Sequence, residues 1–311
     1  MRLLLPTLLL ALPAAGWAAD HPRLENPIIF QRQEVVGGSP ESARRAPAQG
    51  ANGKLWVMEG DGSNLRQLTF GPSYDEHPSL FADQEHVLYS EFDVGFLNEE
   101  EGGKLVKLNI YTGAREVVDA EQGCALHHAS VSPIGDKIAY HYNCGKRFAQ
   151  AMDLGKDRFE TLFQATNGVR TSDGIIAMHE KKSAPGSREV ALIHIRGRGA
   201  ESTAEALTDS KVLHRRPAIS PDEKLLAWQT NAPDGGEDEI YLADIDGSHA
   251  RNLTKAKGND GHPWFSRDGQ RIVFESDRSG HWEIWVYDLK TGKQTQLTDG
   301  KGRYESTRAR M

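Results

Sequence analysis

Over residues 261–300 the chain reads GHPWFSRDGQRIVFESDRSGHWEIWVYDLKTGKQTQLTDG, short apolar-rich runs separated by polar breaks. HPWFS ends at RDG, RIVFES at DRSG and EIWVYDL at KTGK, and QTQLT closes the unit. β-Branched and aromatic residues fill the runs because they pack well on a pleated, half-buried surface. Gly and Asp hold the breaks because they tolerate tight-turn backbone angles. The pattern predicts four short antiparallel strands. It recurs over residues 217–254, where PAISPDEKLLAWQT is followed by EIYLADIDGSHARNLT. Units of about 40 to 50 residues with four strands each are the signature of a propeller blade.

Extended along the chain, the pattern predicts an all-β, six-bladed β-propeller in one domain over residues 20–311. The predicted blades are 75–119, 124–164, 168–208, 214–254 and 260–298, plus one assembled from 26–70 and 303–310. First strands are expected to begin at His77-Pro78 in the second blade and at His127-His128 in the third. The N-terminal unit lacks a first strand, and DGKGRYESTRAR after Thr298 supplies one and stops. Mixing strands from both ends of the chain closes a ring and pairs edges that would otherwise be exposed.

Residues 1–19 read as a signal peptide: Arg2 gives the positive start, Leu3–Ala15 the apolar stretch, and Gly16-Trp17-Ala18 a small-x-small cleavage signal. Cleavage is expected near Ala18 or Ala19, giving a periplasmic or secreted protein that does not span a membrane. A net charge of −7 argues against a nucleic-acid partner, which needs clustered Lys and Arg. Cys124 and Cys144 flank one predicted hairpin at equal distance from its turn near Ile134, which predicts a cross-strand disulfide in an oxidising compartment. A pair of buried free thiols is the alternative. The oligomeric state is not legible.

FSRDGQRIVFESDRSGHWEIWVYDL, AISPDEKLLAWQT with DEIYLADIDG, and the recurrent LRQLT, NLT and TQLT resemble the TolB-type β-propeller repeat. The resemblance implies a propeller of the cell envelope without the α/β domain that precedes the propeller in TolB. It therefore implies a non-enzymatic protein- or peptide-binding scaffold rather than an enzyme, with no cofactor. There is no G-x-S-x-G, no P-loop, no dinucleotide fingerprint and no C-x-x-C-H.

In a propeller the first strand of each blade lines the central channel, so the residue just before the repeat's Pro falls near one channel mouth. Aligned on their turns, the blades place Ser306, His77, His128, Asn167, Arg216 and His262 there in ring order, with His127 and His214 nearby. Two readings stay open. The histidines cap their strands and line a protein- or peptide-binding mouth, or His77, His128 and His262 ligate a divalent metal, since imidazole suits Zn, Mn, Fe and Cu. The second reading would make the chain a metal-dependent polysaccharide lyase, similar in kind to oligogalacturonate lyase, with Arg216 neutralising a uronate carboxylate. Arg215 and Arg216 with Arg303, Arg308 and Arg310 either receive a carboxylate or balance acidic turns. Trp56, Trp228, Trp264, Trp282 and Trp285 are expected between blades as core.

Overall fold

The structure is a computed structural model, described over residues 21–34, 53–93, 103–133, 135–143, 147–153, 158–160, 166–181, 189–197, 201–209, 211–232, 235–299 and 303–310. The predicted signal peptide and Cys144 lie outside these residues. Every regular element described is a strand, and no described helix is long and apolar enough to cross a membrane.

The chain opens with β1 (Ile28–Glu34), β2 (Lys54–Met58) and β3 (Arg66–Gln67). Next come β4 (Tyr74–Leu80), β5 (His86–Phe92), β6 (Lys104–Asn109) and β7 (Arg115–Asp119). Then follow β8 (Ala125–Val131), β9 (Lys137–Asn143), β10 (Arg147–Asp153) and β11 (Arg158–Glu160). The next group is β12 (Thr166–Arg170), β13 (Gly174–Lys181), β14 (Glu189–Arg196) and β15 (Thr203–Ala206). The most regular stretch holds β16 (His214–Ile219), β17 (Leu225–Thr230), β18 (Glu239–Asp244) and β19 (Arg251–Asn252). It continues with β20 (Asp260–Phe265), β21 (Arg271–Ser276), β22 (Glu283–Asp288) and β23 (Gln294–Gln296). The last strand, β24 (Arg303–Arg310), pairs antiparallel with β1.

The result is an all-β propeller. The described strands form six four-stranded sheets, one of them ordered β24-β1-β2-β3 and so drawn from both ends of the described chain. The leading strands touch in a closed cycle, β24 to β4, β8, β12, β16, β20 and back to β24. The first strands begin earlier than the sequence pattern predicts, at Tyr74 rather than His77 and at Ala125 rather than His127. Asp75 and Glu76 pair with Glu91 and Ser90, a polar start to a strand that carries no apolar alternation.

The core lies between neighbouring sheets, since each sheet buries both faces. Leu55 and Val57 pack with Val87, Tyr89 and Val106. Ala218, Ala227 and Ile240 pack with Phe265, Ile272 and Phe274. Ile28 and Phe30 of β1 meet Val273 and Ile284 of β21 and β22, so the two ends of the sequence share one core. Burying each such side chain stabilises the fold by roughly 1.5–3 kcal/mol. The tryptophans belong to this layer: Trp228 and Trp282 are buried, and Trp56, Trp264 and Trp285 pack against the inter-sheet clusters.

Candidate functional site

The pairing of the leading strand with the second strand is interrupted once per sheet. On β4 the register runs Asp75↔Glu91 and Glu76↔Ser90, then resumes at Ser79↔Leu88, so His77 and Pro78 oppose Tyr89 alone. His128 and Ala129 likewise oppose Tyr140, and Arg216 and Pro217 oppose Trp228. His262 and Pro263 oppose Phe274, and Asn167 and Gly168 oppose Ala177. Two residues against one is a β-bulge, which bends the strand and re-aims a side chain. His77, His128, Arg216 and His262 accordingly take left-handed φ values of 53°, 56°, 54° and 48°. That conformation costs a residue with a Cβ about 1–2 kcal/mol. It persists where the surroundings impose it, and here the buried aromatic residues Tyr89, Tyr140, Trp228 and Phe274 stand opposite the bulges.

Of the residues assigned to the ring, His77 and His128 come together, with ring centroids 3.7 Å apart and planes at 35°. His77 is buried and His128 and Arg216 are half-buried, in mid-strand rather than at a strand tip. Asn167 sits in the β12 bulge and Ser306 pairs with Gln31; their side chains, and that of His127, lie outside the described residues. Glu76 Oε1 lies 2.7 Å from His77 Nδ1, and Glu275 Oε1 lies 2.6 Å from His262 Nδ1. Each glutamate thus pairs with the Nδ1 of its imidazole and fixes the ring orientation.

A polar layer backs this ring. Arg215 Nη2 donates to Asp238 Oδ1 at 2.6 Å and to Oδ2 at 2.7 Å, and Gln229 Nε2 donates to that Oδ2 at 2.8 Å. Gln229 Oε1 in turn accepts from the His262 backbone at 3.4 Å. Arg278 pairs with Asp260 at 2.6 Å and Lys54 with Asp75 at 3.0 Å. Burial raises the Asp75 carboxyl above the usual carboxylate range, although Lys54 pulls it down. Arg215 therefore balances an acidic neighbour, one of its two expected roles. Sequence reading missed Glu76, Glu275, Gln229 and Asp238. The visible signal for Glu275 was its fixed place after the aromatic of the second strand, in FES.

Among the described residues no group of three or more His, Cys, Asp or Glu side chains is placed to hold an ion. What the described bulges share is a polar side chain, an imidazole or a guanidinium, at the same position of four sheets.

The TolB beta propeller domain family matches residues 186–310. A protein TolB homolog of Chlorobium luteolum is 40% identical over 58 residues, which is 19% of this chain and 13% of that relative. Among solved structures, TolB from Acinetobacter baumannii superposes with a TM-score of 0.67 at 17% identity, covering 90% of this chain and 66% of that one. A putative TolB from Agrobacterium tumefaciens gives 0.62 at 15% identity, covering 90% and 97%. At these identities the superpositions establish the fold. The chain is thus a β-propeller, and its residues 186–310 match the TolB beta propeller domain family.

Proposed function

We propose that this chain is a non-enzymatic binding or scaffold propeller of the cell envelope, acting in the periplasm and taking a protein or peptide segment at the ring of His77, His128, Asn167, Arg216, His262 and Ser306. The observation that carries this reading is the repeated bulge, which holds four polar residues in a costly left-handed conformation at the same position of four sheets. Strain maintained at equivalent positions in four sheets supports a shared binding role. The segment's carbonyl and carboxylate oxygens would meet the imidazoles and Arg216.

A photo-crosslinking residue at Arg216 in the full exported chain tests the reading, with one at exposed Leu65 as the control. The expected result is a discrete envelope product from position 216 that is absent from position 65 and lost in the His77→Ala/His262→Ala variant. Identical products from both positions, or none from 216, would remove it. The closed cycle of leading strands supports the finer reading of a six-bladed ring. The pairing Ala125↔Asn143 supports a Cys124–Cys144 disulfide one position further out.

A further inference from the structure

His214 opens β16 two residues ahead of the Arg216–Pro217 bulge and is buried. Its Nδ1 lies 3.0 Å from Nε1 of Trp228, the buried residue that stands opposite that bulge. An indole N–H donates and never accepts, so His214 Nδ1 is the acceptor and carries no proton. The imidazole proton therefore sits on Nε2, which lies 3.6 Å from Oδ1 of Asp209, a residue more than half exposed. Asp209, His214 and Trp228 thus form a chain from solvent to the core between the β12 and β16 sheets, where Trp228 packs with Val169, Ile176 and Leu192. At the same offset β4 has Asp75 paired with Lys54, β20 has Asp260 paired with Arg278, and β8 has Leu126. Of these groups the imidazole is the one that titrates near neutrality. The elements packed against β16 carry Arg170 on β12, His179 on β13, His194 and Arg196 on β14, and Asp260 and His262 on β20. Glu180, Lys181 and Glu189 also stand on β13 and β14, with side chains outside the described residues. Burial holds the His214 imidazole below the usual histidine range, and Asp209 opposes that shift.

We propose that His214 is an acid-sensitive latch, which fastens Trp228 at neutral pH and releases it on protonation, with Asp209 receiving the charged ring. A proton arriving on Nδ1 turns the acceptor into a donor. Two N–H groups then face each other, and the buried indole loses an acceptor, a loss that an interior does not make good. The imidazolium gains what the indole loses, because the Asp209 carboxylate is within ion-pair reach and faces water. The proton comes from solvent and returns there, so the step is reversible and needs no co-reactant. Trp228 opposes Arg216 and Pro217, so its release loosens the bulge that carries the guanidinium. The latch belongs to the pairing of β16 with β17 and does not depend on what the ring binds.

Nuclear magnetic resonance of the full chain with isotope-labelled tryptophan indoles tests the proposal, the Trp228 signal being identified by its absence in Trp228→Phe. Between about pH 7.5 and about pH 5 the Trp228 N–H is expected to lose at least about tenfold of its hydrogen-exchange protection. The midpoint should fall below the ordinary histidine value of 6.5, while the signals of Trp56, Trp264, Trp282 and Trp285 hold steady. His214→Gln keeps an acceptor that acid in this range does not protonate, so its Trp228 protection should stay flat. Asp209→Asn, at the surface, removes the receiving charge and should lower the midpoint by about half a pH unit. His194→Leu should leave the transition in place. Protection unchanged down to about pH 5, protection lost from all tryptophans together, or protection lost as fully in His214→Gln as in the parent would each overturn the proposal. Asp209→Asn alone decides the matter should His214→Gln not fold, and a midpoint indifferent to it would remove the latch.

Discussion

The β16–β19 and β12–β15 sheets are neighbours in the ring and built on one repeat, yet they differ at aligned positions. Beneath its bulge the first has Trp228 where the second has Ala177, and Phe30, Tyr89, Tyr140 and Phe274 stand at the same place elsewhere. On the third strand Leu242 is matched by His194 and Asp244 by Arg196. In the β20–β23 sheet these positions are Val286 and Asp288, and Asp288 Oδ1 closes the outer turn by accepting from the backbone of Lys290 at 3.1 Å and Thr291 at 2.7 Å. Arg196 cannot accept, so it reaches to Asp173 at 2.7 Å and Glu205 at 3.1 Å. Without a large ring to hold it off, the β12 bulge lies close on β13: a Cβ on Gly168 would come within 2.6 Å of Ile175 Cγ2. The repeat is a packing rule with one aromatic slot per sheet. The fourth sheet replaces that slot with a small residue and builds a polar cluster beside it.

The largest expected effect tests what both sheets share, the ring itself. Removing residues 303–311 takes away β24, exposes the edge of β1 and opens the cycle of leading strands. Thermal unfolding followed by circular dichroism should then lose its single cooperative transition; a truncated chain that melts like the parent would show that closure contributes nothing. Next in size, Trp228→Ala should cost about 3–5 kcal/mol in denaturant unfolding. The matched change in the fourth sheet, Ala177→Gly, should cost about 1 kcal/mol or less. Equal costs would break the contrast between the two sheets.

Most of the fold was legible because alternation and turn residues are local. GQRIVFES and DEIYLADIDG announce their strands, and the surplus strand at RYESTRAR announced the mixed sheet. Aligning the turns picked out the positions that form the bulges, since His-Pro or Arg-Pro stands at the same offset in β4, β16 and β20. The left-handed bulges were not legible. They arise from two strands meeting with unequal residue counts, a property of the pair that neither strand shows alone.

A smaller effect separates the sheets by pH. Burial holds the His194 imidazole below the usual histidine range, outweighing the pull of Asp173, and burial does the same at His214. The folded chain then binds these protons less readily than the unfolded chain. Their contribution is complete above the ordinary histidine value of 6.5 and is lost as pH falls below it toward the depressed folded values. His194→Leu, which places in the fourth sheet the residue the fifth carries at Leu242, removes one of the two groups. The drop in melting temperature between about pH 7.5 and about pH 5.5 should shrink by roughly 2–4 °C. An unchanged drop would assign the pH dependence to other groups.

The smallest effect concerns the backbone of the regular sheets. In an ordinary strand Gly is less stable than Ala by about 0.5–1 kcal/mol, because it loses more freedom on folding. At position 262 the sign should invert. Both His262→Ala and His262→Gly remove the hydrogen bond to the fully buried Glu275, so that loss cancels between them. What remains is φ at 48°, which Gly adopts without strain and Ala does not. His262→Gly is therefore expected to be the more stable of the two by about 1 kcal/mol in denaturant unfolding. Should Ala prove the better residue, the bulge would be free to relax when its histidine is removed. The left-handed conformation would then belong to the histidine's contacts, and the aromatic ring beneath would no longer explain it.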